Sequence, residues 1–223
     1  MPVPRDPGKG ALDPLHRPVV ARPPRPSLRA EHVQATRAAL VAAGERLFGE
    51  TGFSATSVEE LAAAAGVTTG ALYHHFPTKK ALFETVFEEL HLRLLSTATA
   101  AGLGASDAVE QLTRGLEASL DALLDPDVQR ILVIDAPAVL GLDRYIELDE
   151  RYAFDAIVAA LRMARDEGRL LVESPETLAR LLLGALTRAG ILIAHAPDPV
   201  VTRADVSRTL RQLLAGLTRE APT

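Results

Sequence analysis

Two short helical segments, separated by a glycine and closed by a proline, are the feature of this 223-residue sequence that most restricts its fold. The stretch reads TSVEELAAAAGVTTGALYHHFP and spans residues 56–77. Ser57 followed by Glu60 has the pattern of a capping box, which predicts a helix start. Gly66 ends this helix after about two to three turns, and Pro77 ends the next one. Two helices this short, joined by GVTT, predict a helix-turn-helix.

The spacing of small and large residues within the stretch supports this prediction. Ala62 is small where the two helices must cross closely, Gly66 makes the turn, and Leu72 fills the gap between the helices. Apolar residues around them form the candidate core of the unit, namely Leu40, Phe48, Phe53, Leu61, Val67, Leu72 and Phe76. We therefore expect the two helices to pack on a small core of their own.

The whole sequence predicts an all-α protein. Hydrophobic residues make up 48% and aromatic residues only 4%, so the core must consist mainly of Ala, Leu, Val and Ile, a composition that favours helices. We count about nine helices, an N-terminal group of three and a C-terminal group of six. Their expected bounds are about 31–49, 57–66, 69–75, 78–101, 107–124, 127–134, 143–167, 175–194 and 202–217, with DAPAVLGL as an interruption after residue 134.

Charge and proline content divide the chain into an arm over 1–30, a helix-turn-helix domain over 31–80 and a helical domain over 81–218. The Pro/Arg-rich arm holds six Lys or Arg against two Asp, although the net charge of the chain is −5. Its prolines predict disorder. The arm is either an unstructured extension or a source of phosphate contacts. Domain 31–80 has four Lys or Arg against five Glu, so phosphate contacts would require either well-placed cations in this domain or help from the arm.

The run ATSVEELAAAAGVTTGALYHHFPTKKALFETVF resembles the DNA-binding domain of the TetR family of transcriptional regulators. The resemblance covers about residues 33–88 and includes GERLFGETGF at the end of the preceding helix. It contains the family's run G-V-[ST]-x-G-x-L-Y-x-H-F-x-[ST]-K, which is far more specific than a lone helix-turn-helix. Residues 107–217 resemble the family's ligand-binding and dimerisation domain in helix count and length, with a weaker sequence signal.

The resemblance implies a homodimer that binds double-stranded DNA at a palindromic operator. It implies a repressor that leaves the operator when an unknown small-molecule effector binds, through a change in the separation of the two reading helices. An activator is an alternative. A further alternative is an effector-sensing helical protein with weak DNA binding, which the lack of positive charge over 31–80 keeps open.

The resemblance assigns the DNA contacts to the second short helix and to the starts of neighbouring helices. Residues expected in or beside the major groove are Thr68, Thr69, Gly70, Ala71, Tyr73 and His74. Phosphate contacts are expected from Tyr73, His75, Lys79, Thr56, Ser57, Thr36 and Arg37. Two alternatives are that Ser57 is only a helix cap and that Lys80 is only a solvated charge.

Polar residues on otherwise apolar helices are the candidates for effector contacts. They are His91, Asp135, Tyr145, Tyr152, Arg188 and His195, with Arg144, Arg151 and Phe154 as further members. Asp135 is alternatively a turn or cap before Pro137, and Arg144 and Arg151 alternatively belong to a solvated ion-pair ladder. The few aromatic residues favour a small apolar or amphipathic effector. Helix 175–194 is apolar on more than one face, which predicts that it is buried on more than one side. The resemblance implies that one of these sides is the dimer face, and the alternative is a core helix of a monomer.

The sequence contains no motif that is typical of an enzyme or a metal-binding protein. It has no nucleophile elbow, phosphate loop, metal-spaced His/Glu cluster or cysteine, so we expect no catalytic residue, no metal and no cofactor. His74 and His75 are adjacent, so they point in different directions along a helix and suit a metal poorly. The lack of cysteine is typical of a reducing, cytoplasmic compartment. We expect no membrane segment, because no apolar run approaches the roughly 18 residues required.

Overall fold

The structure, a computed structural model, describes residues 28–218, with side chains from residue 31 onward. Its helices are α1 (Leu28–Thr51), α2 (Val58–Ala64), α3 (Thr69–His75), α4 (Lys79–Gly102), α5 (Ala108–Ala122), α6 (Pro126–Gln129), α7 (Ala136–Leu140), α8 (Leu142–Asp166), α9 (Pro175–Ala194) and α10 (Pro199–Ala215). A π-helical segment, Arg130–Asp135, joins α6 to α7 without a break. The described residues therefore contain nine separate helical rods, and the predicted all-α fold is confirmed. The predicted arm lies outside the residues whose side chains are described.

Side-chain caps fix most of the helix starts. Ser57, Thr68, Thr78, Asp107 and Ser174 each accept a backbone N–H from the first turn of the helix that follows. Such a cap satisfies a donor that the helix itself leaves without a partner. These starts agree with the sequence prediction to within one or two residues, because the capping signal is local.

The run from 126 to 140 differs from the prediction. The sequence predicted an interruption at DAPAVLGL, but the chain passes from the π-helical segment directly into α7. Pro137 is the second residue of α7, directly after the π-helical segment, and it has no backbone N–H to donate within this run. The helical run ends only at Gly141, whose φ of +88° is a conformation that favours glycine.

A first hydrophobic core joins the helix-turn-helix to the domain behind it. Leu61 and Leu72 of the short helices share one buried cluster with Phe83 and Phe87 of α4 and with Leu132 of the π-helical segment. The domain boundary expected after residue 80 falls inside α4, so this helix contributes to both parts.

A second core lies among α5, α8, α9 and α10, where Leu116, Leu161, Ala179 and Leu214 are buried together. By length and composition alone α9 could cross a membrane, which the sequence prediction did not anticipate, and 33% of its apolar window is buried. A core helix of a soluble protein passes the same test, so this is weak evidence for a membrane.

Candidate DNA-binding surface and effector cavity

The turn between α2 and α3 has the geometry of a helix-turn-helix. Ser57 Oγ accepts the N–H of Glu60 at 3.1 Å, and the Glu60 carboxylate accepts the N–H of Ser57 at 2.8 Å. Hydrogen bonding to Ser57 also lowers the pKa of Glu60. Gly66 has a φ of +69°, and the N–H of Val67 donates back to the carbonyl of Ala62 at 2.9 Å. The capping box and the glycine turn thus fix the angle between the two helices.

One face of α3 is held in the core and the other faces solvent. Leu72 and the capping residue Phe76 are buried, whereas the side chain of Tyr73 is 53% exposed. Thr68, Gly70 and His74 are also exposed, and Thr69, Ala71 and His75 are partly exposed. A Cβ at Gly70 would meet only Thr68 Oγ1, at 3.8 Å, so the backbone here is open to close approach. The outer face therefore offers hydroxyl groups, imidazole rings and bare backbone.

Two of the residues expected to touch phosphate are turned inward instead. Thr56 is 2% exposed, and its hydroxyl donates to the carbonyl of Gly52 at 2.8 Å. Lys79 Nζ donates to the carbonyls of Phe53 and Thr56, each at 2.7 Å, and lies 4.3 Å from the centre of the Phe53 ring. The ammonium group of Lys79 therefore ties the start of α4 to the loop between α1 and α2.

The other cations of the helix-turn-helix domain also have partners within the protein. The guanidinium of Arg37 lies 4.5 Å from the centre of the Phe76 ring and donates to Thr85 Oγ1, while Thr36 is partly exposed beside it. Arg46 pairs with Glu50 at 3.1 Å, and both side chains are largely exposed. Lys80 Nζ donates to the carbonyl of Leu140 at the end of α7, at 3.1 Å, so Lys80 is more than a solvated charge. The outer face of α3 consequently relies on neutral donors and histidines.

A cavity of about 170 Å³ lies among α4, α5, α8, α9 and the π-helical segment. Its wall is mostly Leu, Ala, Ile and Val side chains. The polar residues in the wall are His91, Thr99, Gln111, Ser119, Tyr145, Asp149 and Thr187. His91 and Tyr145 were expected from the sequence, and the structure brings them together.

The other four of the six main candidates from the sequence lie elsewhere. The Asp135 carboxylate accepts the N–H of Phe53 at 2.7 Å, so it caps the loop after α1 rather than entering the cavity. The Tyr152 ring lies 6.2 Å from the His91 ring and stands behind the wall. Arg188 and His195 lie on the exposed side of α9. Burial raises the pKa of Tyr152, and neighbouring Glu88 adds to this effect.

Arg144 and Arg151 form the ion-pair ladder that was their alternative interpretation. Arg151 pairs with Glu147 at 2.6 Å and with Glu88 at 3.5 Å. Arg144 Nε donates to Glu84 at 2.9 Å, and its guanidinium also pairs with Glu147. The hydrogen bond from Arg144 lowers the pKa of Glu147. The ladder fixes α8 against α4 outside the cavity. Phe154 also lies outside it, under the guanidinium of Arg180.

Asp149 is the most important wall residue that the sequence prediction missed. His91 Nδ1 faces the carbonyl of Phe87 at 3.1 Å, and His91 Nε2 faces Asp149 Oδ1 at 3.2 Å. The Tyr145 hydroxyl lies 3.4 Å from Thr187 Oγ1, and burial raises the pKa of Tyr145, so the phenol stays neutral. Tyr145, Asp149, Ala153, Ala156 and Ala160 recur at helical spacing along α8, and this stripe was the available signal.

The fold and these two sites define a helix-turn-helix DNA-binding protein with a helical domain around a cavity. Residues 40–86 match the family described as bacterial regulatory proteins, tetR family, and residues 109–217 match the tetracyclin repressor-like C-terminal domain. A TetR-family transcriptional regulator from Pectobacterium atrosepticum is 32% identical, with a TM-score of 0.75 over 86% of this chain and 98% of that one. The chain therefore belongs to the TetR family of transcriptional regulators, as the sequence resemblance predicted.

Two further relatives illustrate the range of similarity. The transposon Tn10 TetC protein of Escherichia coli is 27% identical over 157 residues, which are 69% of this chain and 78% of that protein. SmeT, described as the repressor of the multidrug efflux pump SmeDEF of Stenotrophomonas maltophilia, is 27% identical with a TM-score of 0.64, over 85% of this chain and 93% of that one. SmeT has also been solved as a complex with triclosan, in a structure that is 26% identical with a TM-score of 0.67, over 84% of this chain and 94% of that one.

Proposed function

We propose that this protein is a dimeric repressor that binds a palindromic operator through α3 and leaves it when a small molecule occupies the cavity. Its parts are the arm over 1–30, the DNA-binding domain over 31–80 and the effector-binding and dimerisation domain over 81–218. SmeT, which is named as a repressor and has a triclosan complex, supports this proposal by similarity. We also propose that the protein acts in the cytoplasm, because binding to bacterial DNA requires that location.

The exposed face of α3, presented by a well-packed helix-turn-helix, carries the proposal. We assign major-groove contacts to Thr68, Thr69, Gly70, Ala71, Tyr73 and His74, and phosphate contacts to Tyr73, His75, Ser57 and Thr36. Small side chains at the start of α3 allow close approach to base edges and to thymine methyl groups. Thr56 and Lys79 are left out because their polar atoms serve the α1–α2 loop, and Arg37 contributes mainly through its position against Phe76.

The exposed side of α9 supports the dimer. Leu181 is 66% exposed, and Gly184, Arg188 and Leu192 follow it along the same side. A Cβ at Gly184 would meet no atom within 4 Å in the part of the chain that the structure describes, so a second helix can approach closely here. Leu213 of α10 is also strongly exposed. Large apolar side chains exposed along adjacent helices are typical of an interface, and a closed dimer uses the same surface of both subunits.

The cavity and the DNA-binding domain share two elements, which supports their coupling. Residues from His91 to Thr99 of α4 line the cavity, while Lys79 at its start holds the α1–α2 loop. The π-helical segment contributes Leu132 and Val133 to the cavity wall, and Arg130 of the same segment donates to the carbonyl of Gly49 in α1 at 2.5 Å. An effector that displaces this wall therefore changes the position of the reading helices, and by linkage DNA and effector oppose each other.

The test is selection of genomic DNA fragments by the purified protein, followed by binding measurements with the Tyr73→Ala variant. Tyr73 is exposed and makes no hydrogen bond within the described residues, so its truncation spares the fold. Leu103→Ala is the matched control, because Leu103 is 74% exposed and lies far from α3 in the sequence. We expect an enriched palindrome that the control binds normally and Tyr73→Ala binds at least about tenfold more weakly, in line with loss of one or two contacts.

Failure to enrich any sequence would contradict the proposal and favour the effector-sensing protein with weak DNA binding. The internal partners of Arg37, Arg46, Lys79 and Lys80 are the observation that favours this second candidate, because they leave few cations for phosphate. Enrichment together with raised transcription from the bound promoter would instead identify an activator.

A further inference from the structure

We infer that the effector is a small, electrically neutral molecule of about one ring, with a hydroxyl group that donates a hydrogen bond to Asp149. This inference rests on the proposed effector role of the cavity. It concerns the chemical class of the ligand. This class follows from the hydrogen bonds and charges of the residues in the cavity wall and from the volume of the cavity.

The hydrogen bonds of His91 determine the charge of the polar end of the cavity. A backbone carbonyl only accepts, so the contact of Nδ1 with the Phe87 carbonyl places a proton on Nδ1. Nε2 faces Asp149 Oδ1, and this contact needs a proton on one of the two atoms. The pair is therefore either imidazolium with carboxylate or neutral imidazole with carboxylic acid. In both arrangements its net charge is zero.

The rest of the wall adds no charge. Among the described residues that line the cavity there is no Lys, Arg or Glu, and the Tyr145 phenol is neutral because burial raises its pKa. An anionic effector would therefore lose its hydration without meeting a free cation, which is strongly unfavourable. The nearby cations Arg144 and Arg151 are held outside by their glutamates. The cavity thus selects against carboxylates and phosphates.

Asp149 supplies the acceptor that a hydroxyl group requires. Its Oδ1 contacts His91, and no side chain or backbone group within residues 31–218 hydrogen-bonds to its Oδ2. The hydroxyl groups beside it are occupied, because Thr187 donates to the Leu183 carbonyl at 3.2 Å and also contacts Tyr145. A ligand hydroxyl at this end can donate a hydrogen bond to Oδ2, and in the imidazolium–carboxylate arrangement this bond is charge-assisted and stronger than a neutral one.

The volume and the apolar wall set the size of the ligand body. The cavity measures about 170 Å³. For comparison, an engineered apolar cavity of about 150 Å³ binds benzene. Leu116, Leu132, Val133, Ile157 and Leu186 surround the space beyond the polar end, so the body of the ligand must be apolar. A phenol or a cyclic alcohol with a short alkyl substituent fits both ends.

The experiment uses titration calorimetry with the full-length protein to compare four probes that share a tert-butylphenyl body and differ in the para group: 4-tert-butylphenol, 4-tert-butylanisole, tert-butylbenzene and 4-tert-butylbenzoate. We expect the phenol to bind about tenfold or more tightly than the anisole and the hydrocarbon, since only the phenol can donate a hydrogen bond to Asp149. We expect no measurable binding of the benzoate. In Asp149→Asn the advantage of the phenol over the anisole should fall severalfold, whereas binding of the hydrocarbon should persist.

Binding of the benzoate at least as tight as that of the phenol would overturn the inference, as would equal affinities of phenol and anisole in the unmodified protein. Lack of binding by all four probes would overturn it too. The comparison within the unmodified protein stands even if Asp149→Asn fails to fold, and His91→Gln, which keeps an N–H toward Asp149, serves as a second variant. Operator binding by the same preparation separates the two proposals. Intact DNA binding with failed probe binding refutes only the ligand class, whereas absent DNA binding refutes the proposed function.

Discussion

The carboxylate of Asp135 accepts the backbone N–H of Phe53 at 2.7 Å across 82 positions of sequence. Asp135 ends the π-helical segment, and Phe53 lies just after α1. Arg130, at the other end of the segment, donates to the carbonyls of Gly49 and Glu50. The segment therefore satisfies backbone groups at the end of α1 with its polar ends and lines the cavity with its middle. We expect its position to depend on what fills the cavity.

Replacing Asp135 by Ala tests this arrangement. The change leaves the N–H of Phe53 without its acceptor, and we expect the free energy of unfolding to fall by about 1–3 kcal/mol. We also expect effector binding to release DNA less completely, because the segment is no longer tied to α1. Urea denaturation and DNA binding with and without effector measure the two effects. Asp155→Ala, at an exposed position of α8 with no hydrogen bond among the described residues, is the control. Unchanged stability and response in Asp135→Ala would refute the role.

The sequence predicted the local features of the fold and missed those set by distant contacts. Ser57, Gly66 and Thr78 were interpreted correctly because caps and glycine turns involve neighbours within about four residues. The inward orientation of Thr56 and Lys79 depends on how a loop folds over α4, which no local pattern encodes. In the cavity, Tyr145 was identified by its polarity, but Asp149 was not, because its partner His91 is 58 residues away.

Lys79 gives a sharp contrast between a structural and a DNA-binding role. Its ammonium group satisfies the carbonyls of Phe53 and Thr56, so we expect Lys79→Met to destabilise the fold by about 1–3 kcal/mol. A phosphate contact would instead lower the steepness of the salt dependence of DNA binding by about one unit on logarithmic scales. We expect that slope to stay unchanged. Fluorescence anisotropy across a salt series, with melting measured in parallel, decides between the two roles.

The same salt series should also compare the full-length protein with a variant that lacks the arm. Residues 2–27 hold five Lys or Arg against two Asp, and deleting them tests whether they supply phosphate contacts. We expect weaker binding and a shallower salt slope after deletion, because each lost phosphate contact changes the slope by about 0.9. Identical affinity and slope in the shortened protein would leave the arm as an extension without a role in DNA binding.

Two glycines of α9 predict opposite effects of the same substitution. A Cβ at Gly190 would lie 2.8 Å from Val133 Cγ2 and 3.4 Å from Leu123, so Gly190→Ala should cost about 1–3 kcal/mol through overpacking. A Cβ at Gly184 would meet no atom within 4 Å among the described residues of its own subunit, so Gly184→Ala should favour the helix by up to about 1 kcal/mol in the Leu181→Glu background, where the proposed contact between subunits is lost. Thermal melting of both variants tests the contact between α9 and the π-helical segment. Equal melting temperatures would show that the segment yields to the added methyl group.

Acid pH should reveal the contribution of Glu110. Hydrogen bonds from the Ser106 side chain and backbone, together with Arg114, lower the pKa of Glu110 from 4.5 to about 2. Because the pKa of Glu110 is lower in the folded state than in the unfolded chain, the ionised carboxylate stabilises the fold at any pH above the unfolded-state pKa. This stabilisation is lost as the pH falls toward about 2. We expect Glu110→Gln to melt at a lower temperature at pH 7, and the difference from the unmodified protein to shrink between about pH 4.5 and 2. Glu89→Gln, at an exposed glutamate with no ion pair among the described residues, should show no such convergence.

The exposed side of α9 makes the dimer directly testable. Leu181→Glu places a charge on the proposed interface, and we expect the dissociation constant of the dimer to rise at least about 100-fold, which corresponds to about 2.7 kcal/mol. Each subunit contributes one reading helix to a half-site, so operator binding should fall with the dimer. Leu103→Glu introduces the same charge at another exposed leucine, outside α9 and α10, and should change neither property. Sedimentation velocity and DNA binding at matched protein concentrations measure both. If the Leu181→Glu protein stays dimeric, the dimer interface does not lie on α9. If it is a monomer that keeps full operator affinity, the proposed binding of two reading helices to a palindrome is contradicted.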